Sequence, residues 1–210
     1  PPKKDTIRKR DKIALLATFR SRPGNSLGGT AQTLPHNGTK LFVHRVLCNL
    51  RVQVGLEIKK LEPESIDLYG RNWPPGIPLV QNSREHRDWR TEKYSLLSQY
   101  GFNLCWENME IPHYATEKIW DCIAAGVMPL YWGPEELHRT FPSGCIIDCR
   151  RYFNDNQFDV QQLLYDIHHL SEADYIKRVE TLVDWYFSLP ADSAIQSLTK
   201  AGRILAEEIT

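Results

Sequence analysis

Residues 100–134, "YGFNLCWENMEIPHYATEKIWDCIAAGVMPLYWGP", constrain what this chain can fold into more than any other stretch. An apolar run over 102–106 leads into a polar bend. An amphipathic helix follows, which Thr116 can cap and which runs to about Ala125; then come Gly126 and a second apolar run over 127–132. Threonine suits an N-cap because its side-chain oxygen can accept a helix amide that has no intrahelical partner, and glycine suits the left-handed position just past a helix because it has no Cβ. Two short apolar runs joined by one helix form a β–α–β unit, which closes with a right-handed crossover into a parallel sheet.

The same alternation continues on both sides. "KIALLATF" (12–19) reads as a buried strand, and "RSRPGNSLGGTAQTLPHNGT" as a long loop. Apolar residues recur at helical spacing over 41–61 until Pro63 stops them. "SIDLYG" is a strand closed by Gly70, "RNWPPGIPLVQNSREHRDWR" a proline-punctuated loop, "TEKYSLLSQY" a short helix and "GCIIDC" a further strand. Beyond Asp159 the signal is helical in "FDVQQLLYDIHHL", "SEADYIKRVETLVDWYFSL" and "ADSAIQSLTKAGRILAEEI". The expected fold is α/β, a parallel sheet with helices on both faces and a helical C-terminal segment. Residues 1–11 are expected to be a basic tail or linker, 12–190 the α/β domain, and 191–210 a C-terminal helix packing on or extending it.

Charge and cysteine usage remove several function classes. Lys+Arg and Asp+Glu number 26 each, which argues against a dedicated nucleic-acid binder. Only the head, "PPKKDTIRKRDK", is locally basic, and a solvated tail is its plainer reading. No run approaches the ~18 apolar residues that span a bilayer, and no signal-peptide pattern opens the chain. A start at "PPKK" without Met points to a fragment or a processed product. Cys48, Cys105, Cys122, Cys145 and Cys149 form no CxxC pair, so buried thiols are expected. Cys145 and Cys149 could pair or hold a metal, but no second pair supports zinc. "NGT" at Asn37 is both a glycosylation sequon and a tight-turn signal, and the turn is the preferred reading.

In parallel sheets ligands bind beyond the carboxyl ends of the strands. That puts Glu107 and Asn108 at the mouth of one strand, and Thr116, Glu117 and Lys118 at the amino end of the next helix. Amides and dipole attract phosphate there. A lysine in a first turn is disfavoured by up to about 1 kcal/mol, and a bound pyrophosphate would reverse the sign. The polar partner these side chains imply is a nucleotide diphosphate. Each residue alone has a plainer reading: Lys118 as a solvated cation, Glu117 as a favoured first-turn acid, Asn108 as an Asx-turn, Tyr114 as a rim aromatic. GxGxxG, the Walker motif and the Asp-x-Asp metal motif are missing, as are HExxH and GxSxG. A second cation would then come from a neighbouring loop, with Arg51, Arg45, Arg20 and Arg22 as candidates.

"YGFNLCWEN…YATEKIWDCIAAGVMPLYWGP" resembles the donor-binding signature of the α1,3/α1,4-fucosyltransferases, glycosyltransferase family 10. "IDLYGR", "FPSGCIIDCRRYFN" and the helices carrying Tyr175 and Trp185 extend the likeness over most of 12–190. The resemblance implies one half of a GT-B pair of Rossmann-like domains, the carboxyl-terminal half that binds GDP-fucose. It implies nucleotide and pyrophosphate contacts for Asn108, Tyr114, Glu117 and Lys118, with Glu117 also the catalytic carboxylate that steadies positive charge on the sugar. Arg51, whose helix ends in "LEP", matches the family's phosphate-binding arginine. With Glu107 and Thr116 these residues make up the expected GDP-sugar site. The implied reaction is an inverting transfer of fucose to a glycan acceptor, with no cofactor besides the donor and no essential metal. A missing N-terminal acceptor-binding domain would supply the general base, so 210 residues alone are expected to bind donor but transfer poorly. The implied location is the Golgi lumen or its membrane for a eukaryotic protein and the cytoplasm for a bacterial or viral one. The rival readings are a transferase for another nucleotide sugar and a non-catalytic nucleotide-sugar binding module.

Overall fold

A computed structural model describes residues 2, 7, 10–18, 32–36, 39–43, 45–81 and 89–190. In chain order the elements are β1 (Ile13–Leu16), β2 (Gln32–His36), β3 (Thr39–Val43), β4 (Arg45–Val46), α1 (Cys48–Leu61), β5 (Ile66–Tyr69), β6 (Leu79–Gln81), α2 (Trp89–Leu97) and β7 (Phe102–Leu104). They continue with β8 (Met109–Glu110), α3 (Glu117–Ala124), β9 (Met128–Tyr131), α4 (Glu135–His138), β10 (Ile147–Asp148) and a 3-10 turn (Cys149–Tyr152). The last are β11 (Phe153–Asn154), β12 (Gln157–Phe158), α5 (Val160–His169) and α6 (Glu172–Ser188).

Six strands form one sheet in the order β10-β9-β7-β1-β5-β6, and their pairings are all parallel. Counted in sequence from β1, and read from the β6 edge, this is the 3-2-1-4-5-6 order of a doubly wound sheet. The chain runs outward from β1 to β6, then returns to the other side of β1 with β7. The reversal falls between β1 and β7, and in doubly wound folds ligands bind beyond the carboxyl ends of the two strands at such a point.

The middle strands are near-continuous apolar runs because both faces of the sheet are covered. Ile13, Leu15, Ile66, Leu68, Phe102 and Leu130 are all buried. α1 packs against β5 and α5, while α3 packs against α2, α6 and β9. α1 lies so close to the sheet that a Cβ on Gly55 would overlap Leu15. At the end of β5, Gly70 sits at φ +127° with the Ala17 carbonyl where a side chain would begin, so only glycine fits. Gly126, at φ +71°, takes the left-handed position expected of it after α3.

Several boundaries differ from the sequence reading. The helix expected over 41–61 starts only at Cys48. Upstream, β3 pairs antiparallel with β2, His36 opposite Thr39, and β4 pairs antiparallel with β8, Arg45 opposite Glu110. Phe42, Val43 and Val46 suit strands, and available partner strands override the helical spacing. β2 also interrupts the first long loop, and β6 the second. Asn37 and Gly38, the proposed turn, lie outside the described residues, as do the expected helix at 191–210 and most of the basic head. Within that head Ile7 is buried, and Arg10 Nη1 donates to the Ser98 carbonyl at 3.0 Å. Cys105, Cys122, Cys145 and Cys149 are buried and Cys48 is half-buried; all five are free thiols, so Cys145 and Cys149 are not bridged. Among the described residues, no helix is long and apolar enough to cross a membrane.

Candidate functional site

The chain stays extended after β7. The Cys105 amide donates to Leu130 O at 3.1 Å and the Glu107 amide to Trp132 O at 2.9 Å. Successive side chains of extended backbone point to opposite faces. Glu107 and Asn108 therefore diverge, the first toward α3 and the second toward α1.

On the α1 side, the Asn108 carbonyl accepts the Leu47 amide at 2.8 Å and the Cys48 amide at 3.0 Å, which closes the amino end of α1 with backbone from another loop. Arg51, one turn into α1, is only 4% exposed. Its guanidinium donates to the Trp106 carbonyl and, at 3.2 Å, to Asn108 Oδ1. Burial pulls the Arg51 pKa down from its ordinary value, opposed by the nearby Cys48 and Glu107. Among the described residues its Nε finds no hydrogen-bond partner.

On the α3 side, Glu107 is fully buried. Its Oε1 accepts from the Thr116 amide at 2.9 Å and from the Tyr131 hydroxyl at 3.3 Å; its Oε2 accepts from the Thr116 hydroxyl at 2.5 Å. Lys118 Nζ lies 3.5 Å from Oε2 and donates to Thr116 Oγ1 at 2.8 Å. A buried charge needs this full set of partners. Burial raises the Tyr131 pKa, and the Glu107 charge raises it further, so the hydroxyl stays a donor. Gly133 leaves room for that hydroxyl, because a Cβ there would overlap it.

These contacts revise the sequence expectations in three places. Thr116 stands at the N-cap position of α3 but makes no side-chain cap bond, since its hydroxyl is engaged with Glu107. Glu107 and Thr116, expected at a nucleotide, have no exposed surface and face one another inside the protein. Tyr114, read as a rim aromatic or a nucleotide contact, is 1% exposed. The crowd of polar groups in "EN" and "TEK" thus largely satisfies itself, with Asn108 on Arg51 and Glu107 on Thr116 and Lys118. The groups that still reach solvent are Lys118, whose side chain is 17% exposed, Glu117, at 37%, and the half-buried Asn108.

Sequence reasoning missed one cation. Lys93 of α2 pairs with Asp121 Oδ2 at 2.6 Å and lies 4.0 Å from Glu117 Oε1, while the Tyr94 hydroxyl donates to Asp121 Oδ1 at 3.0 Å. No local spacing announces it, because it comes from the helix before β7; only the packing of α2 on α3 brings it there. Of the other arginine candidates, Arg45 lies over the rings of Phe153, at 4.4 Å, and Trp132, at 5.2 Å, and Arg20 and Arg22 fall outside the described residues. Among the described residues, no group of three or more His, Cys, Asp or Glu could hold a metal ion.

The family profile described as Glycosyltransferase family 10 (fucosyltransferase) C-term matches residues 42–181, more than half of the chain. The alpha-(1,3)-fucosyltransferase FucT of Helicobacter pylori is 30% identical over 107 residues, 50% of this chain and 19% of that protein. The 3-galactosyl-N-acetylglucosaminide 4-alpha-L-fucosyltransferase FUT3 of Bos taurus is 28% identical over 144 residues, 67% of this chain and 35% of that protein. This chain therefore spans between a fifth and about a third of the length of these relatives. The crystal structure of an alpha1,3-fucosyltransferase with GDP-fucose shares the fold, with a TM-score of 0.52 and 21% identity over 81% of this chain and 38% of that one. Together with a doubly wound sheet whose switch-point residues carry the motif, the profile match shows that this chain belongs to glycosyltransferase family 10, the fucosyltransferases, through that family's carboxyl-terminal region.

Proposed function

We propose that this chain is the donor-binding part of a GDP-fucose-dependent transferase that delivers fucose, with inversion, to a hydroxyl of a glycan acceptor. The observation that carries the reading is the position of Lys118. It stands in the first turn of α3, at the switch point of the sheet, partly open to solvent, on a buried carboxylate that holds it in place. A first-turn cation works against the helix dipole unless an anion joins it, and the amino end of a helix is where a diphosphate is favoured.

In this scheme Lys118 and the first amides of α3 take the diphosphate. Arg51 adds positive charge from behind and orients the Asn108 amide. Glu107 and Thr116 hold Lys118 rather than touching the donor. The Glu117 carboxylate faces the sugar and steadies the positive charge that develops as GDP departs. Cations fixed before the reaction stabilise the leaving diphosphate without having to reorganise. An N-terminal acceptor-binding domain supplies the base that deprotonates the acceptor hydroxyl on the opposite face. No step passes through a metal.

Isothermal titration calorimetry with GDP tests the reading. The wild-type chain binds GDP, and Lys118→Ala weakens binding by about 10- to 100-fold, the loss of one charge-assisted contact of about 1.5–3 kcal/mol. No binding by the wild type, or unchanged binding by the variant, contradicts it. GDP-fucose outcompeting UDP-sugars and other GDP-sugars excludes the rival donors.

A further inference from the structure

The second polar network on α3 has no role in the scheme so far. Asp121 is 6% exposed and the Lys93 side chain 12%, so their 2.6 Å pair is almost dry. Desolvating two charges costs several kcal/mol per ion, and a well-packed apolar pair would join α2 to α3 as firmly. A strut alone does not account for charges at this spot. What lies above them does: Glu117 is four residues before Asp121, so the two carboxylates share one face of α3, where like charges repel. The Lys93 ammonium stands between them, 2.6 Å from Asp121 Oδ2 and 4.0 Å from Glu117 Oε1. Tyr94 takes the other Asp121 oxygen at 3.0 Å, which fixes Asp121 and, through it, Lys93. An ammonium has three donors, so it can serve a second carboxylate while bound to the first.

We propose that Lys93 is a positioning residue for Glu117: held by Asp121, it sets the direction of the Glu117 carboxylate and so governs the grip on the fucose of the donor, not on its nucleotide. The inference rests on the reading of Glu117 as the carboxylate that faces the sugar. It makes α2, which lies outside the signature motif, part of the donor site. It also separates two cations by task, Lys118 acting on the diphosphate and Lys93 acting through Glu117.

Calorimetry on the whole chain with GDP-fucose and with GDP, each alone, tests the proposal through the ratio of the two affinities. Glu117→Gln and Lys93→Met each lower that ratio by about fivefold and leave GDP affinity within about twofold; the double variant falls no further than Glu117→Gln alone, as expected of two residues acting as one unit. Lys93→Arg restores most of the ratio. Should Lys93→Met fail to fold, Lys93→Gln, which keeps a polar contact to Asp121 without the charge, carries the same expectation. The proposal is overturned if Lys93→Met weakens GDP and GDP-fucose equally while lowering the melting temperature, the mark of a purely structural tie, or if the two losses multiply in the double variant. A normal ratio in Lys93→Met with a lowered one in Glu117→Gln removes Lys93 alone from the site. A normal ratio in Glu117→Gln removes the Glu117 reading and this inference with it, while failure of GDP to bind the wild type removes the donor reading as a whole.

Discussion

The amino ends of α1 and α3 lie side by side at the switch point, and the chain finishes them in opposite ways. At α1 the Leu47 and Cys48 amides are answered by a backbone carbonyl, that of Asn108, and the nearby Arg51 is buried against Trp106 and Asn108. At α3 the work falls to side chains: Glu107 takes the Thr116 amide and hydroxyl, Lys118 leans on both, and Glu117 stands at the solvent edge with Lys93 beside it. A backbone cap is indifferent to side-chain identity, and it fills the place an anionic ligand would take. A side-chain cluster depends on every member, and it leaves partly exposed charge at the helix end. Of these two helix ends, the α3 corner is the one that keeps partly exposed charge, as the proposed diphosphate site requires, and it is also the one that mutation should damage more.

Removing the buried anion gives the largest expected effect. Glu107→Ala strands Lys118 and the Thr116 amide and hydroxyl, and should lower stability by about 3–5 kcal/mol in urea denaturation. A cost no greater than that of altering Asn108 would erase the contrast between the corners.

The wall behind Glu107 should respond to pH. The His138 side chain is buried, with its ring 5.2 Å from that of Tyr131, the Glu107 donor. Burial pulls its pKa from 6.5 to about 4, against the opposing pull of Asp148. The unfolded chain thus binds a proton near pH 6.5 that the folded chain refuses until near pH 4. Stability is fully present above pH 6.5 and falls as pH drops through that window, by up to about 3 kcal/mol. Urea denaturation at pH 7 and pH 4.5 should show this slope in the wild type and a flatter one in His138→Gln; equal slopes would detach His138 from the account.

The smallest effect belongs to the α1 corner. Asn108→Ala leaves the capping carbonyl in place and costs only the charge-assisted bond from Arg51, about 1.5–2 kcal/mol by the same denaturation. A much larger loss would mean that the side chain, not the backbone, finishes α1.

How much of this was legible in the sequence depended on distance along the chain. The β7–α3–β9 unit was readable because Thr116, Gly126 and the two apolar runs are local signals, and Gly70 marked the end of β5 in the same way. The strands over 39–46 were not, because spacing compatible with a helix was overruled by partners in β2 and β8. The divergence of Glu107 and Asn108 was available in principle, since neighbours in an extended segment cannot both face one crevice. Choosing Arg51 over Arg45 came from the family resemblance and not from local pattern, which left both open; the structure adds that the Arg45 guanidinium lies over Trp132 and Phe153. Lys93 was out of reach because two strands, β7 and β8, lie between it and Glu117 in the chain, and only packing brings them together.

A crystal structure of the chain with GDP tests the central claim most directly. The diphosphate should lie at the amino end of α3 with an oxygen about 2.7–3.2 Å from Lys118 Nζ, and Glu107 should remain buried on Thr116. Nucleotide bound at any other place, with Lys118 still resting on Glu107 and Thr116 and no phosphate beside it, would contradict the account.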